Sequence, residues 1–327
     1  MAENTITGLV PDIYEALDIV SRELTGMIPS VTMNASANEA AVGQNIRVDV
    51  EPAGNVSDIT PGMVTPDPTG QTSAFTDIII TKSRAAEFGF NGEDQKGLAS
   101  GAGYQNVRAA KIAQAIRAVT NEVETDLCGL QSTFSRAFGT AGTTPFGTAN
   151  DYTDASNVLK ILKDNGAPLQ DNQLVINTTA GVNLLGKQAN VSDAGSDSIL
   201  RQGVLLDING MPIRESAQVE APVVGTSGNA VTTAGHAVGA TSIALKASGT
   251  GTILAGDVIS FAGDINKYVV VTGTGAVSGA TIVIAAPGLR QALPVGDKAI
   301  TWRLTAPLSF LLHALLLGLL KVIWRPM

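Results

Sequence analysis

The side chains that most often do nucleophilic or metal chemistry are few in this sequence. There are two histidines, His236 in a glycine-rich turn region and His313 in a run of leucines, and a single cysteine, Cys128. Zinc sites need several Cys, His or carboxylate ligands at short spacings, and two distant histidines do not provide them. Cys128 lies at the border between the polar and apolar sides of a predicted helix, which favours packing over catalysis. We therefore predict no metal, no cofactor and, with one cysteine, no disulfide within the chain.

Acidic side chains cluster in two places where general acid–base chemistry is conceivable. Glu122, Glu124 and Asp126 are predicted to lie mostly on the exposed side of the same helix, as solvated charges. Asp151 and Asp154 lie near a predicted helix start, where the helix dipole favours negative charge. Solvation and capping account for both groups, so the sequence predicts no catalytic residue and a protein that is not an enzyme.

The charge of the chain argues against phosphate recognition. The net charge is −8 and the sequence pI is about 4.8. Proteins that grip nucleic acid use clustered Lys and Arg, and the sequence has no such cluster. We therefore predict no sequence-specific nucleic-acid binding. Hydrophobic residues make up 44% of the 327 residues, and this length suffices for about two or three compact domains.

The strongest local pattern spans residues 100–138. Apolar side chains recur every three or four residues, which is typical of one helical face, and Gly139 follows the last of them. A helix of this extent would be roughly 57 Å long, far above the usual length of about a dozen residues, and is typical of a structural spine. The residues predicted to pack along this spine helix are Ile112, Ile116, Val119, Val123, Leu127 and Leu130.

Two segments before the spine need a neighbour to cover them. An N-terminal arm, residues 1–40, contains a short amphipathic helix at 11–24 that cannot be stable alone. Residues 41–85 show strand patterns near 46–50 and 75–81 around a loop rich in Gly and Pro, which predicts a long hairpin. The residues predicted to pack the arm are Ile13, Leu17, Val20 and Leu24.

The second half predicts two further domains. Residues 151–224 alternate between helical patterns, at 154–163 and 178–188, and strand patterns, which indicates an α/β or α+β module. Residues 225–302 show short strands between Gly-rich turns and no helical period, which is typical of a small inserted β-barrel or sandwich. We therefore assign the α+β class to the whole chain.

Residues 304–320 form a leucine-rich run, followed by Lys321, Trp324 and Arg325. This run is near the lower length limit of a membrane-spanning helix, and Trp with basic residues suits an interfacial anchor. A membrane-anchored bacterial protein is therefore the alternative function. Pro307 and His313 interrupt the run, so we expect no membrane contact.

The ordered set of these segments resembles the P22-type coat proteins of short-tailed phages, which have the Hong Kong 97-like capsid fold. The resemblance covers about residues 1–302. It is carried by LVPDIYE at 9–15, similar to the family's N-terminal arm; NVRAAKI at 106–112 and onward to Glu124, similar to its spine helix; LRQG at 200–203 and GMPIRES at 210–216, similar to its A-domain; and GDVISFAG at 256–263, similar to a strand of its telokin-like insertion domain.

The resemblance implies a fold and a function together. It implies an E-loop hairpin at 41–85, a P-domain with the spine helix at 86–150, an A-domain at 151–224 and a telokin-like β-barrel at 225–302. The implied function is that of a major capsid protein, which self-assembles through hexamers and pentamers into the icosahedral shell of a tailed phage or prophage. Scaffolding protein and portal are the implied partners. Assembly is expected in the bacterial cytoplasm and the final location is the virion capsid.

The chain departs from the family after about Trp302. The family closes with P-domain strands, whereas this chain has an aberrant apolar tail, residues 303–327, for which we hypothesise a frameshift. Two other functions stay open. An enzyme in the module at 150–220 would lack histidine and clustered polar residues in its strand-end loops. A tail or decoration protein would rarely contain so long a helix.

Overall fold

The computed structural model of the chain describes residues 24–31, 42–50, 73–87, 89, 92, 104–139, 144–148, 151–167, 172–188, 203, 205, 207–219, 223–303 and 310–313. The chain divides into two compact units, one of residues 1–30 with 86–313 and one of residues 31–85 with 314–327. Both helices and sheets are present, in agreement with the mixed α and β class expected from the sequence.

The unit around residues 31–85 contains a two-stranded antiparallel ribbon. Strands β1 (Asn45–Val50) and β2 (Ala74–Ile79) pair from Asn45 opposite Ile79 to Val50 opposite Ala74. The N–H of Gly43 donates to the carbonyl of Ile80 at 2.9 Å and continues the ladder beyond the strands. The two predicted strands are therefore confirmed as a pair, while the loop between them lies outside the described residues.

The long helix α1 spans Tyr104–Gly129, which is 26 residues. The prediction of a helix over 100–138 was therefore too long at its carboxyl end. After Gly129 the chain tightens into a 3₁₀ turn, Leu130–Thr133, and Phe134 is extended with φ −70° and ψ 144°. The apolar period continues through Phe134 and Phe138 although the backbone has left the helix. Glycine is a poor helix former, and it stands where the helix stops.

The middle module is built on a three-stranded sheet in the order β11-β3-β4. Helix α2 (Thr153–Asp164) precedes β3 (Asn172–Ile176), and helix α3 (Thr178–Gln188) leads towards β4 (Ile213–Glu215), which is parallel to β3. Strand β11 (Phe310–His313) is antiparallel to β3. The buried core of this module consists of Phe146, Ala155, Leu174, Ile176, Ala180, Leu184 and Met211.

The turn at 207–210 has the geometry that its Asn-Gly pair predicts, while most of residues 199–206, which the sequence predicts to be extended, lie outside the described part of the chain. Asn209 and Gly210 have φ values of 54° and 75°, as in hairpin turns with left-handed central residues. Among the described residues near this turn, Ile208 and Met211 form the bridge across it. The following strand β4 pairs with β3, which gives a β-α-β unit with a long crossover.

The region predicted as a β-barrel, which we call the barrel, contains a six-stranded sheet with the strand order β5-β10-β7-β8-β9-β6. The sequence predicts short strands at 241–245, 257–261, 268–272 and 281–285, and four strands lie at these places: β6 (Ser242–Ala244), β7 (Val258–Phe261), β8 (Tyr268–Thr272) and β9 (Thr281–Ile284). Two were missed. They are β5 (Val231–Thr232) and β10 (Lys298–Arg303), which pair with each other. Buried side chains from across the sheet, among them Ile253, Ile259 and Tyr268, form one continuous core.

The arm and the tail lie mostly outside the described residues. Of the four arm residues predicted to pack, Leu24 alone is described, and it is exposed; Ile13, Leu17 and Val20 lie outside. Within the apolar tail, residues 310–313 form the edge strand β11, which the sequence did not predict. No helix in the described part of the chain is long and apolar enough to cross a membrane.

Candidate functional site

A buried carboxylate of the spine helix holds residues 26–28 of the predicted N-terminal arm. Glu124 is 1% exposed. Its Oε1 accepts hydrogen bonds from the backbone N–H groups of Gly26 and Met27, both at 2.8 Å, and its Oε2 accepts one from Ile28 at 3.0 Å. Three donors aimed at one carboxylate compensate for its removal from water. We name Glu124 and residues 26–30 the arm clamp.

The arm clamp corrects the expectation that Glu124 is a solvated charge. The three donor N–H groups belong to the entry of a 3₁₀ turn, Ile28–Ser30. N–H groups at the start of a helical turn have no partner within the turn and attract an anion. No motif marks this pairing in the sequence, because the acceptor is a side chain and the donors are backbone groups 96 to 98 residues away. Asp126, by contrast, is exposed as predicted.

Polar contacts with the middle module continue the arm clamp. The hydroxyl of Ser30 lies 2.6 Å from the carbonyl oxygen of Gly26 and 3.0 Å from Oε1 of Gln173. It has one proton and donates to one of them at a time. The same Gln173 oxygen accepts from Nε of Arg214 at 2.7 Å. A Cβ at Gly26 would lie 2.9 Å from a methyl of Val175, so a side chain at this position would displace the strand beneath it.

The thiol of Cys128 lies one helical turn beyond Glu124. It is buried, and burial together with the negative charge of Glu124 raises the pKa of Cys128 to about 11. A thiol with such a pKa is protonated near neutral pH, whereas the thiolate is the nucleophile. The geometry therefore gives Cys128 no means of nucleophilic activation.

The buried face of α1 lies beside the predicted spine stripe rather than along its centre. Of the predicted packing residues, Ile112 and Leu127 are buried, and Ile116, Val119, Val123 and Leu130 are half-buried. Among the described side chains of the helix, the other buried positions are Ala113, Glu124 and Cys128. Part of the apolar stripe therefore stays accessible on the described subunit.

The carboxylates near α2 have structural partners. Asp151 accepts from the N–H of Thr153 at 2.8 Å, and its hydrogen bonds to Thr153 lower its pKa. Asp154 accepts from the N–H of Phe146 at 2.7 Å. Lys187, which the sequence analysis did not single out, donates to the carbonyl of Asp151 at 2.7 Å, and burial lowers its pKa. These contacts hold Phe146 and Asp151 against α2 and α3.

The two histidines lie in different elements of the described part of the chain. There, no three His, Cys, Asp or Glu side chains gather where they could hold a metal ion. His236 lies in the barrel with its Nε2 3.3 Å from the hydroxyl of Thr232, and burial lowers its pKa. His313 lies on β11 beside β3.

The β1–β2 ribbon presents an accessible mixed face. Nε of Arg47 forms an ion pair with Asp77 at 3.1 Å, and the Arg47 guanidinium carbon stands 3.6 Å above the centre of the Phe75 ring. Phe75 and Ile79 remain 53% and 55% exposed. Among the described side chains at 42–50 and 73–87, none is buried. We name this surface, made of Arg47, Phe75, Asp77 and Ile79, the ribbon face.

Comparisons with known proteins return phage structures. A structure titled "Mycobacterium phage Che8" is 14% identical, with a TM-score of 0.49, over 86% of this chain and 88% of that chain. A capsid structure of the cyanophage P-SCSP1u is 12% identical, with a TM-score of 0.38, over 93% of this chain and 88% of that chain. No protein-family model and no curated protein matches the sequence.

Proposed function

We propose that this chain is the major capsid protein of a tailed phage or prophage, with a Hong Kong 97-like fold of the P22 type. Copies of the chain assemble through hexamers and pentamers into an icosahedral shell. The chain is a structural protein and not an enzyme, and it acts without a cofactor.

The ribbon face is the observation that carries this proposal. An isolated two-stranded hairpin is marginally stable at best in water and needs a third strand or a packed surface. Here the described side chains of the hairpin contribute none to a core, and two large apolar residues, Phe75 and Ile79, are half exposed. In a shell, a neighbouring copy supplies the missing cover at every position. A monomeric enzyme would gain nothing from this arrangement.

The spine and the site chemistry support the same function. The half-buried residues Ile116, Val119 and Val123 leave part of the α1 stripe available for a further contact. Buried ionisable groups such as Glu124 and Lys187 are engaged by backbone atoms of the chain itself. They tie segments together, which suits a structural subunit.

The partners follow from the assembled state. Scaffolding protein guides the copies into a closed shell, and a portal takes one vertex. The net charge of −8 keeps the subunits from adhering to the packaged DNA. Assembly takes place in the bacterial cytoplasm, and the protein ends in the virion capsid.

Electron microscopy of the full chain tests the proposal. The chain is expressed with and without a scaffolding protein, purified by size and imaged. Closed round particles of one diameter are the expected product, at least with scaffold. A chain that sediments only as a folded monomer under both conditions contradicts the proposal.

A further inference from the structure

The segment that follows the spine helix completes an edge of the barrel. Arg136 forms an antiparallel bridge with Tyr268 at the start of β8. The N–H of Ala137 donates to the carbonyl of Lys267 at 3.3 Å, and Ala137 packs against Val258 and Val269. Residues 134–139 thus take the place of a neighbouring strand for the first residues of β8, a mode of attachment that uses main-chain hydrogen bonds.

The side chain of Arg136 connects three parts of the same unit. It is 8% exposed, and its NH1 pairs with Oδ2 of Asp164 in the last turn of α2 at 3.3 Å. Its NH2 donates to Oδ1 of Asn266 in the β7–β8 loop. A guanidinium is a rigid planar fork that can hold two acceptors at once, which an ammonium group cannot do with the same geometry.

The side chain of Asn266 is oriented by hydrogen bonds within the barrel, independently of Arg136. Oδ1 of Asp264 accepts from the backbone N–H of Asn266 at 2.9 Å and from its side-chain amide at 2.7 Å. Oδ2 of Asp264 accepts from the hydroxyl of Tyr268 at 2.6 Å. The amide of Asn266 is therefore oriented by its own loop, with its oxygen towards Arg136. Preorganisation of this kind lowers the entropy lost on contact.

The hydrophobic core of the barrel consists of residues of the barrel itself, so the contact with Arg136 is not needed to complete that core. Its first and last strands pair with each other, Val231 opposite Ala299 and Thr232 opposite Lys298. The chain therefore enters and leaves the described part of the barrel on neighbouring strands. A domain attached through two neighbouring connections is free to reorient unless a further contact holds it.

We propose that Arg136 is the positioning residue that fixes the orientation of the barrel relative to the spine helix and α2. Its consequence for the shell rests on the proposed function: a barrel held at one angle presents the same surface to every neighbouring copy, so the curvature of the shell is uniform. We name the contact between Arg136, Asp164 and Asn266 the barrel joint.

Hydrogen exchange on the full chain tests the barrel joint without assembly. In Arg136→Ala, the amide of Ala137 is expected to exchange faster by about tenfold or more, since the strand contact loses its anchor. The amide of Val270, which donates to the carbonyl of Asp257 within the barrel, is expected to keep its rate. Equal acceleration of both amides would mean that Arg136 merely stabilises the barrel, and an unchanged Ala137 amide would mean that it anchors nothing. Either result overturns the proposal.

Two further variants test whether Arg136 acts through the geometry of its guanidinium group or through its positive charge alone. Arg136→Lys keeps the charge and can reach one acceptor, so only partial restoration of the Ala137 amide is expected. Arg290→Ala removes an exposed arginine from the same barrel and is expected to leave both amides unchanged. Full restoration by lysine would show that charge alone suffices and would contradict the role of the fork.

Particle diameter then tests the consequence for the shell. Electron microscopy of Arg136→Ala, assembled with scaffold, is expected to give a wider spread of diameters, or open shells, than the unaltered chain and Arg290→Ala. Identical uniform shells together with a loosened Ala137 amide would refute the effect on curvature. If the unaltered chain forms no shells, the proposed function fails, while the exchange result still decides whether the barrel joint exists.

Discussion

The backbone N–H of Met27 donates to Oε1 of Glu124 at 2.8 Å across 97 residues of sequence. Gly26 and Ile28 donate to the same carboxylate. A buried carboxylate without donors would be strongly disfavoured, and so would the buried N–H groups of Gly26 and Met27 without an acceptor. The Glu124 carboxylate and the backbone N–H groups therefore each compensate for the removal of the other from water. The root of the arm is held on the spine helix by hydrogen bonds to a charged group, which are stronger than neutral ones.

Glu124→Gln and Glu124→Ala are expected to release residues 26–28. Glutamine has one acceptor oxygen and places an NH₂ group towards backbone donors, and alanine leaves all three donors without their acceptor. Loss of a charged acceptor from buried donors predicts a decrease in unfolding free energy of roughly 3 kcal/mol or more for alanine. Chemical denaturation measures the decrease, and hydrogen exchange at the amides of residues 26–28 measures the release.

Asp126→Asn is the matched control for the arm clamp. It removes a carboxylate from an exposed position two residues further along the same helix, where a change of about 0.5 kcal/mol or less is expected. Slow exchange of the three amides in Glu124→Ala, at the rate of the unaltered chain, would show that another group holds residues 26–28.

Cys128 is expected to react slowly with thiol reagents in the folded protein. Its pKa of about 11 keeps it protonated near neutral pH, and its burial blocks access. The chain has one cysteine, so the reaction of a single thiol can be followed by absorbance. Addition of denaturant is expected to restore the rate of an ordinary thiol. Rapid modification under native conditions would contradict the burial of this part of α1.

Local sequence patterns predicted the strands and turns whose structure depends on residues close together in the sequence. Short strand patterns between Gly-rich turns located β7 and β8, and the Asn209–Gly210 pair located its turn. The end of α1 was placed too late because Leu130 and Phe134 continue the apolar period, and only the backbone shows that the helix stops at Gly129. Periodicity reports which side chains face a core, and it does not report where the chain leaves the helix.

The candidate site could not be predicted because its partners are distant and partly backbone. Glu124 looked like a surface carboxylate, since the donors that bury it are main-chain groups without a sequence signature. The two-residue strand β5 is too short for any pattern, and it exists because β10 offers it a partner. Arg136 was overlooked for the same reason: Asp164 and Asn266 become its neighbours only in the folded unit.

Tyr268 makes the stability of the barrel sensitive to alkaline pH. Burial, together with its hydrogen bond to Asp264, raises the pKa of Tyr268 to about 12, above the ordinary value of about 10. A group whose pKa is higher in the folded state stabilises that state fully below pH of about 10, and the contribution is lost as the pH rises towards about 12. Thermal unfolding measured across this window is expected to show a steeper fall for the unaltered chain than for Tyr268→Phe. Parallel curves would mean that the phenol ionises normally in the folded barrel.

Two isoleucines of the barrel, one buried and one exposed, allow a test of how tightly the barrel core is packed. Ile259 is 0% exposed within the barrel cluster, whereas Ile265 is 88% exposed. Ile259→Ala is expected to decrease the unfolding free energy by about 2–5 kcal/mol, and Ile265→Ala by about 0.5 kcal/mol or less. Urea denaturation followed by circular dichroism measures both. Similar losses in the two variants would contradict the placement of Ile259 in a packed core.

Phe75→Ser separates folding of the subunit from its association. Phe75 is 53% exposed and lies beneath the Arg47 guanidinium, so a serine there is expected to change the unfolding free energy of the monomer by about 1 kcal/mol or less. The same change removes an apolar side chain from the ribbon face, and it is expected to abolish or strongly reduce particles in sedimentation and electron microscopy. Val182→Ser, at an exposed position on α3, controls for the loss of any exposed apolar side chain and should leave assembly intact. Normal shells from Phe75→Ser would remove the ribbon face from the contacts between copies, and with it the observation on which the proposed function rests.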